Sequence, residues 1–400
     1  KFTSPILTEP ELDWICAQSD DAFRCETIPV VFPVAGGPEA MAAALDLICA
    51  RAEESVGRGV SLLVLSDREV SATHASIPML LAVAAVHHHL IRAGLRLQCS
   101  LIADTGEARE DHHFACLIGY GASCVHPWLA SESVTALAAD DPLKKGITVN
   151  AGLANYKKAV EGGLLKIMSK MGISTISGYR GAQIFEAIGL ERALVDWHFT
   201  GTDCQVSGAG LNELAVDVLR FHAEAYGEEH ELKERGIYRY RKGGEYHSFN
   251  PNVFTSLHKA VRGGDYDRAY RAYAKLVEER PLTALRDLLQ FKQAPQPVPL
   301  AGVEPATEIA RRFCTPGMSH GALSREAHET LSVAMNRINA KSNSGEGGEA
   351  RERYYPYENG DWGNSNIKQI ASARFGVTPE YVVSATQLEI KMAQGSKPGE

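Results

Sequence analysis

Short apolar runs, each closed by a turn and followed by a helical stretch, recur through the first half of this chain and restrict what it can fold into. VSLLVLSD (60–67) precedes a helical pattern over 78–93, and LQCSLIADTG (97–106) precedes a charged region able to start a helix. LIGYGASCVHPW (117–128) and GISTISGYRG (172–181) read as further strands, with helical patterns over 131–139 and 150–171. Strands that are apolar throughout belong to parallel sheets buried on both faces. Repeated βα units of this kind build a parallel sheet or a βα barrel.

Around 200–215 the character changes. TGTDCQVSGAGLNE is glycine-rich and polar, and helical patterns follow over 211–226, 253–263, 265–279 and 281–290. The Pro-rich stretch QAPQPVPLAGVEP (293–305) reads as an extended surface connection. Strand-like pieces then return near 312–319, 339–345 and 382–393, with helices expected over 324–338 and 365–375. This is the opening of a second βα series. A closed barrel takes roughly 250 residues, and the last hundred positions hold only three or four βα units. The chain starts at Lys1 and stops within a glycine and lysine loop, so both ends read as cut.

Composition excludes several classes. A net charge of −8 without a Lys/Arg cluster argues against a nucleic-acid surface. The longest apolar runs, such as 80–86, are far too short to span a bilayer, and no signal-peptide pattern is present. The eight cysteines include no CxxC pair and sit mostly in apolar contexts, which reads as reduced, buried thiols. The histidines at 87–89 and 112–113 invite a zinc reading, but consecutive helical residues point apart and neither group has an HxxxH or CxxC partner. Asp104, Glu107 and Asp111 form either an acid–base cluster or a set of solvated loop carboxylates. The SGAGLNE run lacks the strand–helix setting of a dinucleotide fingerprint.

Three segments remain as candidate chemistry. GMSHGALS (317–324) is a glycine-rich loop between a strand and a helix, where backbone N–H groups can approach a flat or anionic ligand. AKSNSGEGGE (340–349) falls at the carboxyl edge of a strand, where βα barrels keep their active sites, although its composition also suits a surface loop. EIKMAQGSKPGE (389–400) places Lys391 in a strand, and an inward lysine there needs an anionic partner.

The same segments carry a resemblance. THASIPMLLAVAAVHHHLI, GLLKIMSKMGISTISGYRGAQIFEAIGL, GGEYHSFNP, TPGMSHGALSREAHE, KSNSGEGGE, IKQIASARFGVTPEY and EIKMAQGSKPGE resemble, in order, the large chain of glutamate synthase. The resemblance implies an internal fragment. Residues 1–205 would be most of a βα-barrel-like central domain, and 212–400 the truncated N-terminal part of an FMN-binding (βα)8 barrel. In that family an amidotransferase domain releases ammonia from glutamine. The ammonia reaches the FMN barrel, where 2-oxoglutarate becomes 2-iminoglutarate and then L-glutamate. Electrons come through an iron–sulfur cluster from ferredoxin, or from NAD(P)H by way of a small flavoprotein subunit. The amidotransferase domain, the cluster cysteines and the later barrel strands have no counterpart in these 400 residues.

Carried over residue by residue, the resemblance puts Gly317, Met318 and Ser319 against the flavin ring, with Ser342 and Ser344 at the end of the next strand. Gln369 and Lys391 become the polar rim of the isoalloxazine. Gln394 and Lys397 become ligands of the 2-oxoglutarate carboxylates, and Glu326 a proton relay or imine-orienting group. The expected setting is cytoplasmic, or plastid for a ferredoxin-dependent enzyme. No membrane or nucleic-acid partner is expected, and the oligomeric state is left open, a homo-oligomer included. A competing reading from another class is a non-catalytic spacer that joins catalytic domains and lines an ammonia channel. A free-standing flavin barrel would need more βα units than the chain holds.

Overall fold

The computed structural model describes residues 3–18, 20–140, 145–228, 234–371 and 376–392. Two units emerge, Lys1–Glu229 with Met392–Glu400, and His230–Lys391.

The first unit contains β1 (Cys25–Pro29), β2 (Val31–Pro33), β3 (Leu62–Ser66), β4 (His74–Ser76), β5 (Ser100–Asp104), β6 (Ala122–His126), β7 (Glu186–Leu190) and β8 (Asp203–Ala209). Its main sheet has the order β1-β3-β5-β6, every pair parallel. The apolar runs explain this. Leu63, Leu65, Leu101 and Ala103 face one side, Val64 and Ile102 the other, and all are buried. The first set joins the large core with the helices Gly37–Gly57 and Met79–Arg92. The second packs with Leu7 and with Leu12 and Ile15, the buried stripe of the helix Glu9–Cys16. That helix starts where Thr8 N–H donates to Glu11 Oε2 at 2.8 Å. Met79–Arg92 buries Leu81 through Val86 without a break, as a helix sealed on most sides must. Each buried Leu or Val contributes roughly 1.5–3 kcal/mol.

The second unit opens with a helix pair, Pro251–Arg262 and Tyr266–Glu278. Asn250 caps the first, its Oδ1 accepting from Asn252 N–H at 3.0 Å, and Pro251 takes the first helical position. Then come β9 (Cys314–Gly317), β10 (Lys341–Asn343), β11 (Ile367–Ile370) and β12 (Gln387–Ile390), four parallel neighbours in chain order. The helix Arg325–Arg337 links β9 to β10, with the Ser324 hydroxyl accepting from Ala327 N–H. Among the described residues no sheet closes on itself.

Several expectations fail locally, each for a physical reason. Ile176–Tyr179 is a short helix rather than a strand, because Thr175 Oγ1 accepts from Gly178 N–H at 3.1 Å and caps a turn. The helix expected over 281–290 is reduced to a 3-10 turn, Leu285–Leu288. Asp287 bonds the N–H groups of Thr283 and Ala284 and competes with helix growth. The helix expected over 365–375 is instead β11, held between β10 and β12, so pairing overrides the local pattern; residues 372–375 lie outside the described residues.

The glycine-rich run at 200–213 contains strand β8 followed by the start of the helix Leu211–Ala225, so a strand–helix setting is present. Its glycine serves packing: a Cβ on Gly208 would lie 2.3 Å from Gly189 O on the paired strand β7. The cysteines are free, but Cys16 and Cys314 are exposed rather than buried.

Candidate active site at the strand ends of the second unit

The carboxyl ends of β9 to β12 bring polar groups together. In β10 to β12 alternate residues share a face, and Asn343, Gln369 and Glu389 fall on the same one. Asn343 Nδ2 donates to Glu389 Oε2 at 3.1 Å, and Gln369 Nε2 donates to Glu389 Oε1. One carboxylate on β12 thus orders amides from β10 and β11. Further down, Lys341 Nζ donates to Gln387 Oε1 at 3.2 Å. Gly317 ends β9 beside them: a Cβ there would meet the Gln369 amide at 3.4 Å, an ordinary contact.

Two glycine-rich loops cross above the face. Gly345 has φ +64°, and a Cβ on it would lie 2.5 Å from the Met318 carbonyl carbon, so only glycine permits the crossing. Gly345 N–H donates to Asn343 Oδ1 at 3.0 Å. Lys391, one residue beyond β12, sits 3.0 Å from Glu346 Oε2, each side chain about a quarter exposed. The anionic partner that an inward lysine requires is therefore supplied by the chain itself.

The opposite face is sealed. Ser344 Oγ contacts Tyr381 OH at 2.6 Å and accepts from Gln369 N–H at 3.1 Å. Tyr381 OH also donates to Gln369 O at 2.8 Å. Lys368 is fully buried, contacts Glu349 and donates to Asn364 Oδ1 at 2.6 Å. Arg353, also fully buried, lies 3.1 Å from Glu349 Oε1 and donates to Gly363 O. Burial pushes the Lys368 ammonium down to about 7. This ion-paired base fixes the 344–349 loop from beneath. His328 does the same for the other loop, its Nε2 donating to Met318 O at 2.8 Å and lying 3.1 Å from Ser344 O.

Of the sequence-derived candidates, Gly317, Gln369 and Lys391 come together at the strand ends. Met318 is buried, and both its backbone groups are engaged, N–H with Asn343 O and C=O with His328. Ser319 Oγ accepts from Gly321 N–H and shapes its own loop. Ser342 and Ser344 are buried, Ser342 Oγ having no hydrogen-bond partner among the described residues. Glu326 is exposed in the first turn of Arg325–Arg337, its carboxyl held low by its own N–H and the Ser324 hydroxyl. Gln394 and Lys397 lie outside the described residues.

The residues missed from sequence are Asn343, Glu346 and Glu389. The signal for Glu389 was period-two alternation, which puts it on the side of Lys391. Asn343 and Glu346 sat inside a run whose glycines and serines resembled a surface loop.

The first unit also gathers charge at its strand ends. Asp104 Oδ1 lies 2.7 Å from His126 Nδ1, while its Oδ2 accepts from Ser66 Oγ at 2.7 Å and Arg68 Nε at 2.9 Å. Burial pushes the Asp104 carboxyl up, and these bonds outweigh it and hold the group low. Among the described residues Asp104 bonds Ser66, Arg68 and His126 and Glu107 bonds Met79 N–H, rather than Asp111. Of the histidines at 87–89, His87 accepts from Arg96 Nε at 2.8 Å and His89 contacts Glu53 at 2.6 Å. Among the described residues no group of three or more His, Cys, Asp or Glu is placed to hold a metal.

Residues 1–191 match the family described as glutamate synthase central domain, and 247–400 the family described as conserved region in glutamate synthase. The chain is 46% identical over 441 residues to ferredoxin-dependent glutamate synthase 2 of Synechocystis sp., covering 100% of this chain and 28% of that protein. It is 49% identical over 406 residues to the glutamate synthase (NADPH) large chain of Azospirillum brasilense, covering 100% of this chain and 26% of that one. It therefore spans about a quarter of the length of these relatives. Among solved structures, the flavin-binding domain of baker's yeast flavocytochrome b2 is 14% identical with a TM-score of 0.28, over 44% of this chain and 37% of that one, a likeness too slight to carry an argument. Two matched regions and identity along the whole length to named glutamate synthases make this chain a member of the glutamate synthase family.

Proposed function

We propose that this chain supplies the central domain, over 1–205, and the first part of an FMN-binding (βα)8 barrel, over 212–400, of a glutamate synthase. The whole protein would make L-glutamate from 2-oxoglutarate and glutamine-derived ammonia. The observation that carries the reading is the convergence of Gly317, Asn343, Gln369 and Lys391 at the carboxyl ends of four neighbouring parallel strands, where βα barrels keep their sites.

The residues present fit a flavin. Gly317 leaves room at the strand tip, the Gln369 amide can bond a ring edge, and the Lys391 ammonium suits the negative charge of a reduced flavin. When bound, FMN would supply the hydride for imine reduction. Asn343 and Glu389 hold the Gln369 amide in place. Glu346 is the carboxylate beside Lys391, and we assign it to orienting that ammonium, with Glu326 kept as a proton relay or imine-orienting group. Gln394 and Lys397 stay assigned to the 2-oxoglutarate carboxylates, where a lysine gives charge-assisted bonds. In the first unit, also proposed to be barrel-like, the Asp104 carboxylate is taken up by Arg68 and His126, which favours a scaffold role for that residue.

The electron donor can be argued from length. Alignments to the ferredoxin-dependent relatives run to 427–441 residues, those to the two NADPH large chains only to 402–406. The matches to the ferredoxin-dependent proteins thus run at least 21 residues longer (427 against 406). This supports an NADPH-dependent enzyme with a small flavoprotein subunit, and with it a cytoplasmic setting. No helix among the described residues is long and apolar enough to cross a membrane.

The test is glutamate formation by the full-length protein with its small subunit, from glutamine and 2-oxoglutarate. NADPH should sustain turnover and reduced ferredoxin should not. Turnover with ferredoxin alone would overturn the donor assignment, and no glutamate with either donor would overturn the function.

A further inference from the structure

The first unit holds a cavity of about 520 Å³ that plays no part in the function proposed above. That volume lies within the range of small-molecule sites. The cavity opens at the carboxyl ends of β3 and β6, beside the Pro5–Leu7 segment that pairs with β6, the side of a parallel α/β sheet where ligands bind. Its walls are mainly apolar and include the rings of Trp128 and Tyr156. Four charged side chains also line it, the cations Arg68 and Lys157 and the carboxylates Glu9 and Glu132.

Its floor is built rather than incidental. Arg68 is clamped by Asp104 at 2.9 Å and Glu9 at 2.6 Å, and its guanidinium lies 5.5 Å from the Trp128 ring centre. Lys157 is held by Glu11 at 3.0 Å. His126 is fully buried beneath Glu9. Its Nδ1 is taken by Asp104, and its Nε2 faces Glu9 Oε2 at 3.3 Å without making a hydrogen bond. This buried imidazole nitrogen points toward the one carboxylate that a ligand could displace.

We propose that this cavity binds a small zwitterion with an apolar body, that is, a free α-amino acid with an apolar side chain. Two cations and two carboxylates match a carboxylate and an ammonium together, whereas either charge alone would leave one pair of wall groups opposed. The apolar walls and Trp128 take the side chain. An amino acid settling here draws Glu9 toward its ammonium and leaves Arg68 for its carboxylate.

The experiment is titration of the full-length protein with L-leucine, followed by saturation-transfer NMR and thermal shift. The decarboxylated amine, 3-methylbutylamine, and the deaminated acid, 4-methylpentanoate, serve as controls. Leucine should bind saturably, with both controls at least tenfold weaker. Leu153→Trp, which fills the cavity from a residue outside the charged floor, should abolish binding while Tm is retained, and Glu132→Gln should weaken leucine but not the acid. Absence of saturable leucine binding, equal binding of the amine or acid, or binding that survives Leu153→Trp would each overturn the proposal. A chain segment already filling the cavity in the intact protein would give the first of these results. Glutamate synthesis is read separately, so its failure leaves this test intact.

Discussion

The Lys391 ammonium lies 3.0 Å from a carboxylate oxygen of Glu346, which ties the end of β12 to the glycine-rich loop after β10. The pair is about a quarter exposed on each side, so solvent screens it. Its value therefore lies in placing a cation at the strand ends rather than in stabilising the fold.

Lys391→Ala should accordingly change stability by less than about 1 kcal/mol. Glutamate synthesis in the full-length protein should fall at least tenfold, with lower flavin content. Denaturant unfolding alongside flavin absorbance measures both. Unchanged flavin content and turnover would remove Lys391 from the site.

Gly345→Ala tests the loop crossing. A left-handed residue other than glycine costs roughly 1–2 kcal/mol, and here the added Cβ also meets the Met318 backbone at 2.5 Å. The loop at 317–319 must move. Flavin content should drop along with stability, whereas Gly360→Ala, also at positive φ but with open space around it, should cost only the strain.

The first unit should weaken in acid. His87 accepts from Arg96, and burial with that cation alongside holds its pKa down to about 3. His198 is buried, which with Arg92 nearby holds it down to about 4. In the unfolded chain both titrate near 6.5. As pH falls from about 6.5 to about 4 the unfolded chain takes up protons that the folded chain refuses, so stability declines. His198 alone accounts for roughly 3 kcal/mol of that decline. Unfolding midpoints measured between pH 7 and 4.5 should show the slope, and His198→Leu should make it shallower, leaving the part due to His87.

Much of this architecture could be read from residues. The unbroken apolar runs that became β3 and β5 announced a parallel sheet because burial on both faces leaves no polar alternation. Ile367–Ile370 could not be read the same way, since IKQI fits either period and only its neighbours β10 and β12 decide. The site was half legible. Gly317 and Lys391 showed themselves as a turn glycine and a strand lysine. Glu389, which holds Asn343 and Gln369, is an ordinary carboxylate until three strands are laid side by side. The buried Lys368–Glu349–Arg353 group was hidden for a similar reason, because Lys368 comes from a different segment than Glu349 and Arg353.

The proposed flavin face is formed by the tips of β9 to β12. Gly317→Val in the full-length protein tests it most directly. Gly317 has ordinary φ, and its nearest neighbour across the face is the Gln369 amide at 3.4 Å, so the fold should accept the larger side chain while the face is blocked. The variant should be a soluble protein of near-normal Tm that hydrolyses glutamine but is purified without FMN and makes no glutamate. A variant that retains full FMN and normal glutamate synthesis would contradict it.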